Sequence, residues 1–185
     1  MNLIFSVDNK YCELALVMLA SFLNNNSFEH NDIYFIYGNV SDENLEKLSS
    51  FVELNYDASF IALKLNEEEL PPLPVRGRFS IETYYRFWAQ ELLMQSADRA
   101  LWLDSDMVVR TSIKEFYYQD FEDKSLVVCK SVNKDPKSLL RKMELPEDTT
   151  YFNAGTILFN LSKIRKEVSI RDYFEYIKNN SDKIT

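Results

Sequence analysis

Short apolar runs alternate with longer amphipathic stretches through the first third of the chain. Leu3-Ile4-Phe5, Ile33-Tyr34-Phe35-Ile36-Tyr37 and Ser59-Phe60-Ile61-Ala62-Leu63 have the length and the branched or aromatic content of strands. Between the first two, Glu13 to Asn24 sets Leu14, Val17, Met18 and Phe22 at helical spacing and is apolar nearly all round, which predicts a buried helix. Between the second and third, Ser41 stands as an N-cap before Asp42 and Glu43, and Leu45, Leu48, Phe51 and Val52 form the apolar stripe of a second helix. Turn signals at Asn24 to Asn26 and Gly38-Asn39 punctuate the series. The order β-α-β-α-β predicts an α/β fold with a mostly parallel sheet and crossover helices, and it places ligands at the carboxyl ends of the strands.

Pro71-Pro72-Leu73-Pro74 then interrupts regular structure, and Arg76-Gly77-Arg78 reads as a mobile basic loop over a site. A helix start follows, with Ser80 as its cap, Phe79 and Tyr84 at the staple positions, and Tyr84, Phe87, Trp88 and Leu92 along its apolar face; Arg86 falls off that stripe. Ala100-Leu101-Trp102-Leu103 and Leu126-Val127-Val128-Cys129 read as further buried strands, and Tyr151 to Leu161 contains Phe152-Asn153-Ala154-Gly155, whose small residues allow a ligand close to the backbone. Ser162 to Thr185 reads as one or two polar helices with Ile164, Val168, Ile170, Phe174 and Ile177 as their apolar positions. Without a repeat or a low-complexity linker, residues 1–185 are expected to form a single domain.

Composition narrows the function. A hydrophobic share of 46% supplies a core, and a net charge of −8 without a basic stripe argues against a nucleic-acid partner. The opening residues show no secretory pattern and no later run is long enough for a membrane span, so a cytoplasmic location is expected. Cys12 and Cys129, far apart and in apolar segments, suit buried reduced thiols; His30, the single histidine, suits a surface loop, and no zinc constellation exists.

The candidate chemistry lies at Asp104-Ser105-Asp106, at the exit of the Ala100 to Leu103 strand. Two carboxylates leaving a rigid element together suit a hard divalent cation that also carries substrate phosphates. In so acidic a chain chance alone supplies on the order of one such triplet, and a solvated turn is the plain alternative. Position decides between them. Asp8, just beyond the first strand, comes to the same sheet edge as Asp104 and Asp106, and three converging carboxylates cost stability unless a cation or donor joins them.

Four blocks in order resemble glycosyltransferase family 8, the retaining GT-A transferases that include bacterial lipopolysaccharide galactosyl- and glucosyltransferases and glycogenin. They are Ile4-Phe5-Ser6-Val7-Asp8-Asn9-Lys10-Tyr11, Ser80-Ile81-Glu82-Thr83-Tyr84-Tyr85-Arg86, Leu101-Trp102-Leu103-Asp104-Ser105-Asp106-Met107-Val108-Val109, and Tyr151 to Leu161. The resemblance implies a GT-A, Rossmann-like sheet and a metal-dependent transfer of a hexose, galactose or glucose, from a UDP-sugar to a saccharide or glycolipid acceptor, with retained configuration. It implies that Asp104 and Asp106 hold Mn²⁺ or Mg²⁺ and that Ser105 lines the donor site between them. Asp8 would bond the uracil edge, Tyr11 would stack on the base, and Ser6 and Val7 would offer backbone contacts. Arg86 and Asn153 would act on the donor sugar or its phosphates as the catalytic pair, with Ala154 and Gly155 allowing close approach. Each also has an ordinary structural role open to it: Asp8 as a helix cap, Tyr11 as an aromatic at a helix start, Arg86 as an ion-paired side chain, and Asn153 as a tight strand start.

The family carries, after the Asn-Ala-Gly block, an Asp-Gln-Asp-like motif and a His-x-x-Gly-x-x-Lys-Pro-Trp segment, and this chain ends before both. The expectation is therefore the donor-binding part of a longer enzyme, lacking the family's C-terminal portion, whose metal has only two aspartates from protein; peripheral membrane contact would belong to the missing region. Lys10, Arg78 and Ser131 depart from the family pattern and leave the acceptor unassigned. The alternative is a non-catalytic nucleotide-sugar binding module. Another Rossmann-like nucleotide binder is disfavoured, because no G-x-G-x-x-G or P-loop occurs among 3 glycines.

Overall fold

The computed structural model describes residues 1–75, 80–132 and 137–184. A six-stranded sheet forms its centre: β1 (Asn2–Phe5), β2 (Asn31–Tyr37), β3 (Ala58–Lys64), β4 (Arg99–Leu103), β5 (Leu126–Lys130) and β6 (Phe152–Asn160), in the order β3-β2-β1-β4-β6-β5. β3 pairs with β2, β2 with β1 and β1 with β4 in parallel, whereas β6 lies antiparallel to both β4 and β5. β6 alone therefore opposes the common strand direction.

Strand alternation splits the core into two layers. Leu3, Phe5, Ile33, Phe35, Leu101, Leu103 and Leu158 face one side, under α1 (Cys12–Asn25) and α2 (Asp42–Asn55). Ile4, Tyr34, Ile36, Ala100, Trp102, Ile157 and Phe159 face the other. There they meet a 3-10 helix (Ile81–Trp88) that runs into the single turn α3 (Ala89–Leu92). Past the short helices α4 (Lys114–Tyr118) and α5 (Lys137–Lys142), the same layer is completed by α6 (Leu161–Glu167) and α7 (Ile170–Asn179). No helix among the described residues is long and apolar enough to cross a membrane.

The N-terminal βαβαβ pattern is as the sequence predicts, and Ser41 caps α2 by accepting from Asn44 N at 3.3 Å. Four expectations need correction. The helix α1 is not buried all round: Cys12, Ala15, Met18, Leu19, Phe22 and Leu23 face the sheet, while Leu14 and Val17 stand exposed, because a single sheet face covers only one stripe of a helix. The strand β5 is only half buried, since it is the sheet's edge, and its Cys129 is exposed rather than buried. Ser80 makes no side-chain cap, and the segment after it winds as a 3-10 helix rather than an α-helix. Asp8 is not the N-cap of α1, a position that Tyr11 takes without a side-chain bond; instead Asp8 caps the turn before it. Arg76, Gly77, Arg78 and Phe79 lie outside the described residues.

Candidate active site

Chain order reverses between β1 and β4: from β1 the sheet grows one way through β2 and β3, and the other way through β4. A crevice opens at such a switch point, beyond the strands' carboxyl ends. A cleft of about 260 Å³ lies there, lined by Ser6, Val7, Asp8 and Tyr11 after β1, by Asp104, Ser105 and Asp106 after β4, by Arg86 with its helix neighbours, and by Trp102. Eight residues singled out from the sequence thus meet in one place. Asn153 and Ala154 are not part of the lining, although Ala154 is one hydrogen bond from it, through Arg86.

In the Asp8 turn, Oδ1 accepts from Lys10 N at 2.9 Å and from Tyr11 N at 3.0 Å. This leaves the second carboxylate oxygen for the cleft, beside a Tyr11 side chain that is half exposed. The Ser6 hydroxyl is buried and has no hydrogen-bond partner among the described residues. A buried hydroxyl left this way is costly, which suits a wall that a polar ligand completes.

On the other wall, the Trp102 indole Nε1 donates to Asp104 Oδ1 at 2.8 Å, and the Arg86 guanidinium lies 4.6 Å above the Trp102 ring and 3.5 Å from the same oxygen. Arg86 also donates from Nε to Thr83 O at 2.9 Å and from its terminal nitrogen to Ala154 O. The 3-10 winding explains why Arg86 reaches the cleft: residues three apart eclipse, so Arg86 lies over Thr83 and bonds its carbonyl, and Tyr85 meets Trp88 edge to face. Burial lowers the pKa of Arg86, and the Asp104 carboxylate opposes that shift. The guanidinium remains charged at any ordinary pH.

Gly155 gains a different explanation from the one its size suggests. Asp104 N donates to Gly155 O at 2.9 Å, which places β6 against the acidic turn, and a Cβ on Gly155 would lie 2.9 Å from Asp104 Oδ2 and 3.0 Å from Asn153 Oδ1. The space a side chain would take is occupied by the two carboxamide and carboxylate groups, not reserved for a ligand alone. Asn153 Oδ1 in turn accepts from Gly155 N at 2.7 Å.

Among the described residues, Asp8, Glu82, Asp104 and Asp106 set four carboxylates around the cleft against Arg86, whose nitrogens are largely committed to protein oxygens. An anionic ligand would need a cation with it. Asp106 is exposed and has no hydrogen-bond or ion-pair partner among the described residues, and Asp104 Oδ2 is likewise unbonded. Yet Asp8, Asp104 and Asp106 do not close on one point: no group of three acidic, His or Cys side chains suited to one metal occurs among the described residues. Asp104 and Asp106 would offer two hard oxygen ligands, a set that would fit a hard divalent ion taking its remaining ligands from substrate and water.

Sequence reasoning missed Trp102, Glu82 and Thr83 as parts of this site. Trp102 was legible: on a strand, residues two apart share a face, so Trp102 and Asp104 must point the same way. Thr83 was not, because its place depends on the 3-10 winding.

Comparison with known proteins bears on the family and the fold. Two lipopolysaccharide 1,2-glucosyltransferases of Escherichia coli are 27% and 25% identical over 164 and 181 residues, covering 88% and 97% of this chain but 48% and 53% of their own length. The chain thus spans about half the length of these curated relatives. The solved structure of the galactosyltransferase LgtC, in complex with donor and acceptor sugar analogs, superposes with a TM-score of 0.88 at 22% identity, over 98% of this chain and 66% of that one. That likeness makes the fold the GT-A architecture the sequence blocks suggested. The sequence model of Glycosyl transferase family 8 matches residues 2–185, a span that holds the whole cleft, and the chain belongs to that family.

Proposed function

We propose that this chain is the donor-binding part of a retaining, metal-dependent hexosyltransferase that moves galactose or glucose from a UDP-sugar to a saccharide or glycolipid acceptor. The observation that carries this is the acidic excess of the cleft around Asp104 and Asp106, in a family of sugar transferases. Four carboxylates repel a diphosphate, and a cation that accompanies it offsets that repulsion. Asp104 and Asp106 would hold Mn²⁺ or Mg²⁺, and when bound the ion would supply positive charge to the departing diphosphate.

The chain's own groups account for the rest. Asp8, with one oxygen tied to the backbone, offers the other as an acceptor for the N3–H of uracil, and Tyr11 offers its ring to the base face. Ser6, Val7 and Ser105 line the path between base and diphosphate. Arg86 has a fixed side chain and a full charge, and it orients Asp104 while facing the sugar-phosphate end. Asn153 and Ala154 border the sugar where Arg86 bonds Ala154 O.

Titration with UDP-galactose and UDP-glucose in the presence of Mn²⁺, followed by assay of UDP release with a saccharide acceptor, tests the proposal. Binding with UDP release supports it. Metal-dependent binding without release, in a chain carrying the segment its relatives have beyond this span, would favour a binding module instead.

A further inference from the structure

The side-chain oxygen of Asn9 accepts from Ser41 N at 3.1 Å, from Ser41 Oγ at 3.1 Å and from Asn44 Nδ2 at 2.7 Å, while its carbonyl accepts from Asn44 Nδ2 at 3.2 Å. A backbone N–H can only donate, so the orientation of the Asn9 amide follows from its contact with Ser41 N. The arrangement completes a capping box across two loops. Within α2, Asn44 N donates to Ser41 Oγ, and the Ser41 N–H, which a side chain at position 44 would satisfy in the usual local box, is satisfied by Asn9.

Asn9 sits inside the turn that Asp8 closes on Lys10 and Tyr11. Fixing Asn9 to the start of α2 therefore fixes the direction of the free Asp8 oxygen and the place of the Tyr11 ring. These are the two groups that meet a nucleobase in the proposed donor site, and none of the four contacts made by Asn9 is to the cleft. Uracil presents a donor at N3 where cytosine presents an acceptor, so a carboxylate held in place discriminates between them and a loose one does not.

Resting on the nucleotide reading of this cleft, we propose that Asn9 is a positioning residue that sets base selectivity by tying the Asp8–Tyr11 turn to the N-terminus of α2. Its effect is confined to the base end of the ligand; the Asp104–Asp106 end is held by β4 and β6 and does not depend on it.

The test compares the affinities of UDP, CDP and inorganic pyrophosphate, each with Mn²⁺, for the wild type, Asn9→Ala and Asn9→Asp. In Asn9→Ala, UDP affinity is expected to fall about tenfold and the preference for UDP over CDP to be largely lost, with pyrophosphate affinity kept within about twofold. Asn9→Asp keeps the acceptor oxygen and adds a charge favoured at a helix N-terminus, so it restores the preference. If Asn9→Ala does not fold, Asn44→Ala, which removes the 2.7 Å contact, is expected to show the same selective loss at about threefold. An unchanged UDP preference overturns the role of Asn9 and leaves the nucleotide reading in place, as does an equal loss of UDP and pyrophosphate. A wild type that binds neither UDP nor pyrophosphate overturns both.

Discussion

Trp102 Nε1 donates to Asp104 Oδ1 at 2.8 Å, across one residue of the same strand. The bond joins a side chain that is 2% exposed to a carboxylate at the lip of the cleft, so the packing of the second core layer reaches directly into the candidate metal site. One Asp104 oxygen is spent on holding the group still, and the other is left for a ligand. Trp102→Phe keeps most of the ring and removes the donor. It is expected to cost about 1–2 kcal/mol of stability and to weaken Mn²⁺-dependent UDP binding about tenfold. Denaturant unfolding and calorimetry read the two effects, and a variant with wild-type UDP affinity would show that the indole bond does not matter to the site.

Gly155→Ala probes the same carboxylate from β6. The added methyl would lie 2.9 Å from Asp104 Oδ2, so either the carboxylate swings away or β6 shifts. A loss of metal affinity of about tenfold is expected, with far-UV circular dichroism unchanged, because a flexible carboxylate gives way more easily than the strand. Metal affinity equal to the wild type's would mean that Asp104 Oδ2 is not a ligand.

Arg86→Ala removes a guanidinium that is 11% exposed on its side chain, together with its bonds to Thr83 O and Ala154 O and its contact with Trp102. A loss of about 2–4 kcal/mol is expected, since two carbonyls and the Asp104 carboxylate lose a buried partner. Arg86→Lys is expected to recover less than half of that, as an ammonium lacks the planar fork that serves Thr83, Ala154 and Asp104 together. Chemical denaturation of the two variants gives the comparison; full recovery by lysine would show that charge alone suffices.

The C-terminal helix supplies a pH test away from the cleft. Asp172 closes a capping box with Ser169, accepting from Ser169 N at 2.7 Å and from its hydroxyl at 2.8 Å, and these bonds hold its carboxyl below the ordinary aspartate range. A depressed folded-state pKa means that the carboxylate contributes stability above the unfolded value, about 3.9, and loses it as pH falls through the lower folded value. Asp172→Asn should therefore unfold at lower denaturant concentration than the wild type at pH about 7. The two curves should converge as pH falls below the unfolded aspartate value of about 3.9 and on through the lower folded one. A gap that persists at low pH would point to packing rather than charge.

The parallel half of the sheet was legible because its strands are continuous apolar runs bounded by turn residues, as strands covered on both faces must be. Asp8, Asp104 and Asp106 were legible for a related reason: a strand exit in a parallel sheet has one place to point. The Ser80 segment was less so. Its apolar positions satisfy an α-helical stripe, yet Tyr85 and Trp88 pack edge to face at a 3-10 spacing, and the change in period moves Arg86 from beside the stripe into the cleft. Cys129 misled for want of sheet order, since a valine-rich run looks the same at an edge as at the centre. The Asn9–Ser41 bridge joins residues 32 apart in sequence, and nothing local marks it.

The most direct test of a metal-dependent donor site is UDP binding by calorimetry, with Mn²⁺ and with chelator, in the wild type and in Asp106→Ala. Asp106 is exposed and without a partner among the described residues, so its removal should change stability by no more than about 0.5 kcal/mol. The expected result is UDP binding that requires Mn²⁺ in the wild type and is lost in Asp106→Ala at unchanged melting temperature; UDP binding that is indifferent to Mn²⁺ and to Asp106 would contradict the assignment.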